Sequence, residues 1–130
     1  FIFRLLLSFV FPRQFRNFVY WLFQDTAGKD GDSQSLVESV FGDMQLAGKC
    51  FKPKAIVNPT AIKGSELHDF QIPTLFLVGE NEKTFPPYKA IQRLNKIAPQ
   101  IKTETIPQAG HDLNFAQADL INRKVLEFLE

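Results

Sequence analysis

The residues best placed to do chemistry lie late in the chain. His111 stands in Pro107-Gln-Ala-Gly-His-Asp112, directly after the alternating apolar and polar run Ile101–Ile106. Glu80 and Glu82 stand in Gly79-Glu-Asn-Glu82, directly after the apolar run Ile72-Pro-Thr-Leu-Phe-Leu-Val78. A neutral imidazole can take a proton from a hydroxyl if an acid on its other ring nitrogen fixes the tautomer and steadies the charge that forms. His111 with either glutamate supplies base and acid, two of the three parts of such a relay. The third part, a nucleophile on its own sharp turn, is not in the sequence. The competing reading leaves the glutamates solvated and gives His111 only the task of capping the last helix.

The relay works only if the two loops meet, which is the task of the elements around them. Thr74–Val78 is continuous and apolar, as expected for a strand covered on both faces. From Pro87, residues Ala90, Ile91, Leu94, Ile97 and Ala98 hold helical spacing until Pro99. Ile101–Ile106 suits a strand nearer a sheet edge, and Leu120, Ile121, Val125, Phe128 and Leu129 mark a closing amphipathic helix. This β-α-β-α order makes the two strands parallel, with both loops at one end. Parallel neighbours lie about 4.8 Å apart, within reach for a carboxylate and an imidazole. Open α/β sheets place their chemistry beyond the carboxyl ends of the strands. Two strands do not make a stable sheet, so further strands must come from elsewhere.

The first half has a different pattern. Phe1–Phe11 and Arg13–Phe23 read as two strongly apolar helices joined at Pro12, with Phe15, Phe18, Val19, Leu22 and Phe23 on one face of the second. Asp25–Ser33, with its glycines and aspartates, reads as a loop. Asp32 or Ser33 is the expected cap of a third helix carrying Leu36, Val37, Val40, Phe41 and Met44. Phe51–Gly64 is broken by Pro53 and Pro59, and Ser65–Phe70 is expected to form a short helical turn. The expected organisation is a helical region over 1–50, a connecting segment over 51–71 and the β-α-β-α part over 72–130.

Composition narrows the function classes. Among 130 residues, 45% are hydrophobic and 22% charged, which fits a folded globular chain. The 15 basic and 14 acidic residues are well mixed, so no stripe suits a nucleic acid. The apolar stretch in Phe1–Phe11 is too short to span a bilayer and contains Arg4, so no membrane span is expected. Cys50 is the single cysteine, cannot form an internal disulfide, and points to a reducing, cytoplasmic setting. The doublets His68-Asp69 and His111-Asp112 raise metal binding, but two histidines are too few for the sites such doublets build. No metal or cofactor is expected.

Pro73–Glu82 with Pro86, together with Ile106-Pro-Gln-Ala-Gly-His-Asp112, closely resemble the C-terminal part of the α/β-hydrolase superfamily. The resemblance covers Ile72–Glu130. It implies that His111 is the catalytic histidine and that Glu82, three residues after Gly79, stands at the acid position. Aspartate is commoner there, so Glu80 stays a rival. In some members the acid sits on an earlier strand, outside this chain. The resemblance also implies that the apolar helices form a cap whose aromatic side chains, such as Phe15, Phe18 and Trp21, wall a pocket for a small apolar substrate.

The family's nucleophile sits in Gly-x-Ser-x-Gly. Ser8, Ser33, Ser35, Ser39 and Ser65 have no such setting, and the oxyanion-hole loop is missing too. The chain, which begins at Phe1 inside an apolar pattern, is therefore expected to be part of a longer hydrolase of ester or similar bonds. Alone it should be inactive, and stable only with the N-terminal half of the fold or with a second copy of itself. Two alternatives stand beside this: a non-catalytic interaction protein with the same fold, and a dehalogenase or epoxide-hydrolase type using an aspartate nucleophile.

Overall fold

The computed structural model describes residues 12–28, 30–51, 60 and 62–130, and the chain divides into two compact units, Phe1–Thr60 and Ala61–Glu130. The expected helix Phe1–Phe11 lies outside the described residues.

In the first unit, α1 (Pro12–Leu22), α2 (Gln24–Ala27) and α3 (Gly31–Cys50) surround Phe18, Val19, Thr26 and Val37, all buried. Pro12 opens α1, where its missing N–H costs nothing. The Phe15 and Phe41 rings lie 5.7 Å apart, and those of Phe18 and Trp21 6.0 Å apart. Glu38 accepts from both Arg16 and Tyr20, so α1 and α3 also meet through a polar cluster.

The loop expected over Asp25–Ser33 is not all loop. Gln24–Ala27 forms a helical turn, because Phe23 N–H still bonds the Val19 carbonyl at 2.9 Å and Gly28 N–H the Gln24 carbonyl at 3.0 Å. The aspartates and glycines there are turn-forming by type, yet Thr26 between them is buried and α2 packs beside α3. Nor do Asp32 or Ser33 cap α3. Asp30 does: its extended backbone lets Oδ1 accept Ser33 N–H at 2.7 Å, so the cap sits two residues before Asp32 and three before Ser33.

In the second unit, α4 (Gly64–His68) precedes β1 (Leu75–Gly79), α5 (Pro87–Ile97), β2 (Lys102–Ile106), α6 (Leu113–Ala116) and α7 (Ala118–Leu129). The strands are parallel, from Leu75 opposite Lys102 to Gly79 opposite Ile106. The Gln100 side-chain amide donates to the carbonyls of Leu67, His68 and Phe70 at 2.9, 3.0 and 3.2 Å, fastening the end of α4 to the turn before β2. Glu104 of β2 pairs with Lys124 of α7.

The apolar character of β1 exceeds its burial. Val78 and Gly79 are buried, but Leu75, Phe76 and Leu77 are only half-buried, short of the full cover expected for this strand. Phe76 instead helps line an open apolar cavity of about 350 Å³ with Ile62, Leu67, Phe85 and Leu94. Among the described residues, β1 pairs with β2 and no other strand.

Candidate active site

Because Gly79 and Ile106 are register partners, β1 and β2 end at the same level and release their loops side by side. The loops are then joined by main-chain bonds. Glu80 N–H donates to the Ile106 carbonyl at 2.9 Å and Asn81 N–H to the Ala109 carbonyl at 2.8 Å. The histidine loop passes so close over β1 that a Cβ on Gly79 would sit 2.3 Å from the Ala109 oxygen. Any side chain at 79 would push the two loops apart. Gln108 has φ 55°, the left-handed turn that lets the chain double back before His111.

Glu80 and Glu82, alternatives by sequence, separate at this point. Glu80 is exposed, and its Oε2 accepts Gln108 N–H at 3.1 Å, a loop-to-loop clasp that leaves His111 to another partner. Glu82 turns inward: its side chain is 5% exposed, and its Oε2 lies 2.9 Å from His111 Nδ1. Its other oxygen, Oε1, accepts from the Thr84 amide at 2.6 Å and the Thr84 hydroxyl at 2.7 Å. Burial alone would push the Glu82 carboxyl up. The Thr84 amide and hydroxyl and the His111 contact outweigh it and hold Glu82 below the ordinary carboxylate range. An ionised Glu82 only accepts, so Nδ1 of His111 carries its hydrogen toward it and Nε2 is left as the proton acceptor.

His111 itself is half-exposed, with its carboxylate partner shielded beneath it. The residue does not cap the last helix, where Gln117 holds the cap position of α7. Nor does it cap α6: Asp112, buried, holds that position, and its carbonyl accepts from Phe115 and Ala116 amides at 2.9 Å each. The Gln117 side chain reaches back to the Pro107 carbonyl at 2.8 Å, closing the loop from its far side. Thr84 and Gln108 carry no role in the sequence reading, and Asp112 enters it only through the His111-Asp112 doublet. Only Thr84 carried a usable signal, a hydroxyl two residues after a candidate acid.

The doublet His68-Asp69 forms its own contact, Nδ1 to Oδ1 at 3.0 Å, on the exposed end of α4. Among the described residues no three His, Cys, Asp or Glu side chains gather as a metal site. No helix among them is long and apolar enough to cross a membrane. Phe15, Phe18 and Trp21 lie in α1, within the first unit.

No family model matches the chain. It is 28% identical over 119 residues to the uncharacterized carboxylesterase nap of Bacillus subtilis (strain 168), matching 86% of this chain and 37% of that protein. To carboxylesterase YbfK of the same organism it is 32% identical over 81 residues, 62% of this chain and 27% of that protein. The crystal structure of that esterase, CesB (YbfK), superposes with TM-score 0.54 at 33% identity, over 61% of this chain and 28% of the other. Naproxen esterase (carboxylesterase NP) from Bacillus subtilis gives TM-score 0.54 at 35% identity, over 60% and 27%. The chain carries a partial α/β-hydrolase fold. It spans between 27% and 37% of the length of the curated relatives it matches, and those relatives are carboxylesterases.

Proposed function

We propose that this chain is the C-terminal portion of a carboxylesterase-type α/β-hydrolase, in which His111 is the catalytic base, Glu82 its orienting acid, and the nucleophile and oxyanion donors lie on chain outside these residues. The observation that carries this reading is the 2.9 Å contact between His111 Nδ1 and the shielded Glu82 carboxylate, set where two parallel strands end. Glu80, bonded to the Gln108 amide, serves the loop and not the imidazole.

The chemistry follows from which nitrogen is free. Nε2 takes the proton of the nucleophile's hydroxyl as its oxygen attacks the ester carbonyl. The imidazolium that forms is held by Glu82, then gives the proton to the departing alkoxide, releasing an alcohol and leaving an acyl-enzyme. Water then gives a proton to Nε2 as its oxygen attacks the acyl carbon, and Nε2 returns that proton to the nucleophile's oxygen as the bond to it breaks and the carboxylic acid leaves.

The test is hydrolysis of p-nitrophenyl esters of increasing acyl length by the complete protein. Turnover that collapses in His111→Gln supports the reading. Full turnover in that variant removes it, and an absence of any esterase activity in the intact protein favours a non-catalytic member of the fold.

A further inference from the structure

A glutamate carries its carboxylate on one more rotatable bond than an aspartate, and the terminal torsion of glutamate is broad. A glutamate acid therefore needs more restraint to hold one oxygen against an imidazole. In this chain the restraint comes from Thr84. Its backbone amide, 2.6 Å from Glu82 Oε1, would remain with almost any residue at 84. Its hydroxyl, 2.7 Å from the same oxygen, is a property of the side chain alone. With Oε1 held by two donors, the carboxylate cannot turn without giving up charge-assisted hydrogen bonds, and Oε2 stays aimed at Nδ1 of His111.

We propose that Thr84 is a positioning residue of the proton relay: its hydroxyl anchors Oε1 of Glu82 and thereby fixes Oε2 against His111. The inference rests on the reading of His111 and Glu82 as base and acid. Thr84 touches neither substrate nor nucleophile in this role, and acts through Glu82. The lowered affinity of Glu82 for protons fits, since the Thr84 amide and hydroxyl are the largest influences that favour its ionised form.

The test uses Thr84→Val, nearly isosteric and without the hydroxyl, Thr84→Ala as a second hydroxyl-free variant, and Thr84→Ser, which keeps it. In the complete enzyme, Val and Ala should lower kcat on p-nitrophenyl esters about tenfold with KM little changed, and Ser should restore it. The proton on Nδ1 of His111, read by NMR, should shift or broaden in Val and Ala and return in Ser. A readout on the imidazole separates the two ideas. If His111→Gln leaves turnover intact, the hydrolase reading fails, yet the Nδ1 proton still reports whether Thr84 orients the pair. Wild-type kcat and an unmoved Nδ1 proton in a folded Val or Ala variant would overturn the inference. So would a Ser variant as impaired as Val.

Discussion

Two histidines in this chain sit beside a carboxylate at nearly the same distance, 3.0 Å for His68 and Asp69 and 2.9 Å for His111 and Glu82. Distance does not separate them; shielding does. Both members of the first pair are largely in water, with side chains 74% and 79% exposed, whereas the Glu82 side chain is 5% exposed beneath a half-exposed His111. The first pair joins sequence neighbours at the end of a one-turn helix and needs no fold to form. The second joins residues 29 apart, brought together by a parallel register and by a glycine that lets one loop lie on the other. Water weakens an exposed pair almost to nothing, while a shielded carboxylate can orient a ring and bear its charge. A histidine beside an acid becomes a candidate base when the fold, and not the local chain, holds the acid.

The comparison breaks most easily at His111. In the complete protein His111→Gln should lower ester turnover by at least about 10³-fold while thermal unfolding stays cooperative, and His68→Gln should leave turnover within about twofold. Equal effects at the two histidines would erase the distinction. Next in size is the choice of acid. Glu82→Gln should cost on the order of 10² to 10⁴ in kcat, and Glu80→Gln less than about tenfold, since it loosens only the clasp to Gln108. The reverse order would move the acid to Glu80.

A smaller effect should appear in stability against pH. Folding holds the Glu82 carboxyl below its ordinary range, so its ionised form is favoured in the folded state. That contribution is complete above the unfolded value, about 4.3, and is lost as pH falls through the lower folded value. The difference in unfolding midpoint between wild type and Glu82→Gln should be steady at neutral pH and shrink below about pH 4. A difference independent of pH would mean that Glu82 is not held as a carboxylate. The smallest effect belongs to the exposed pair: Asp69→Asn should change stability by less than about 0.5 kcal/mol.

Much of the second unit was legible in the sequence because its periods differ sharply. The unbroken apolar run before Gly79 and the alternation before Pro107 set both strands to within a residue, and Pro87 marked the start of α5. The pairing of His111 with a glutamate one or three residues past Gly79 could be read as well. Spacing alone leaves both glutamates open and only the resemblance favours Glu82, because the choice depends on where Thr84 N–H and Gln108 N–H point, and both are set by loop geometry. In the first unit, residues 25–33 misled by composition. Asp and Gly favour turns, but Asp also caps helices, and Asp30 capping α3 was hidden among similar neighbours. The half-buried face of β1 was legible only as a demand for more strands, and the apolar cavity beside Phe76 is the local mark of that demand.

The central claim is that His111, oriented by Glu82, activates a nucleophile carried outside these residues. A fluorophosphonate that labels activated serines, applied to the complete protein and followed by peptide mass spectrometry, tests it most directly. The account predicts one labelled serine beyond residues 1–130, a labelling rate at least about 10³-fold slower in His111→Gln, and no change in His68→Gln. Labelling at Ser8, Ser33, Ser35, Ser39 or Ser65, or labelling undiminished in His111→Gln, would contradict it.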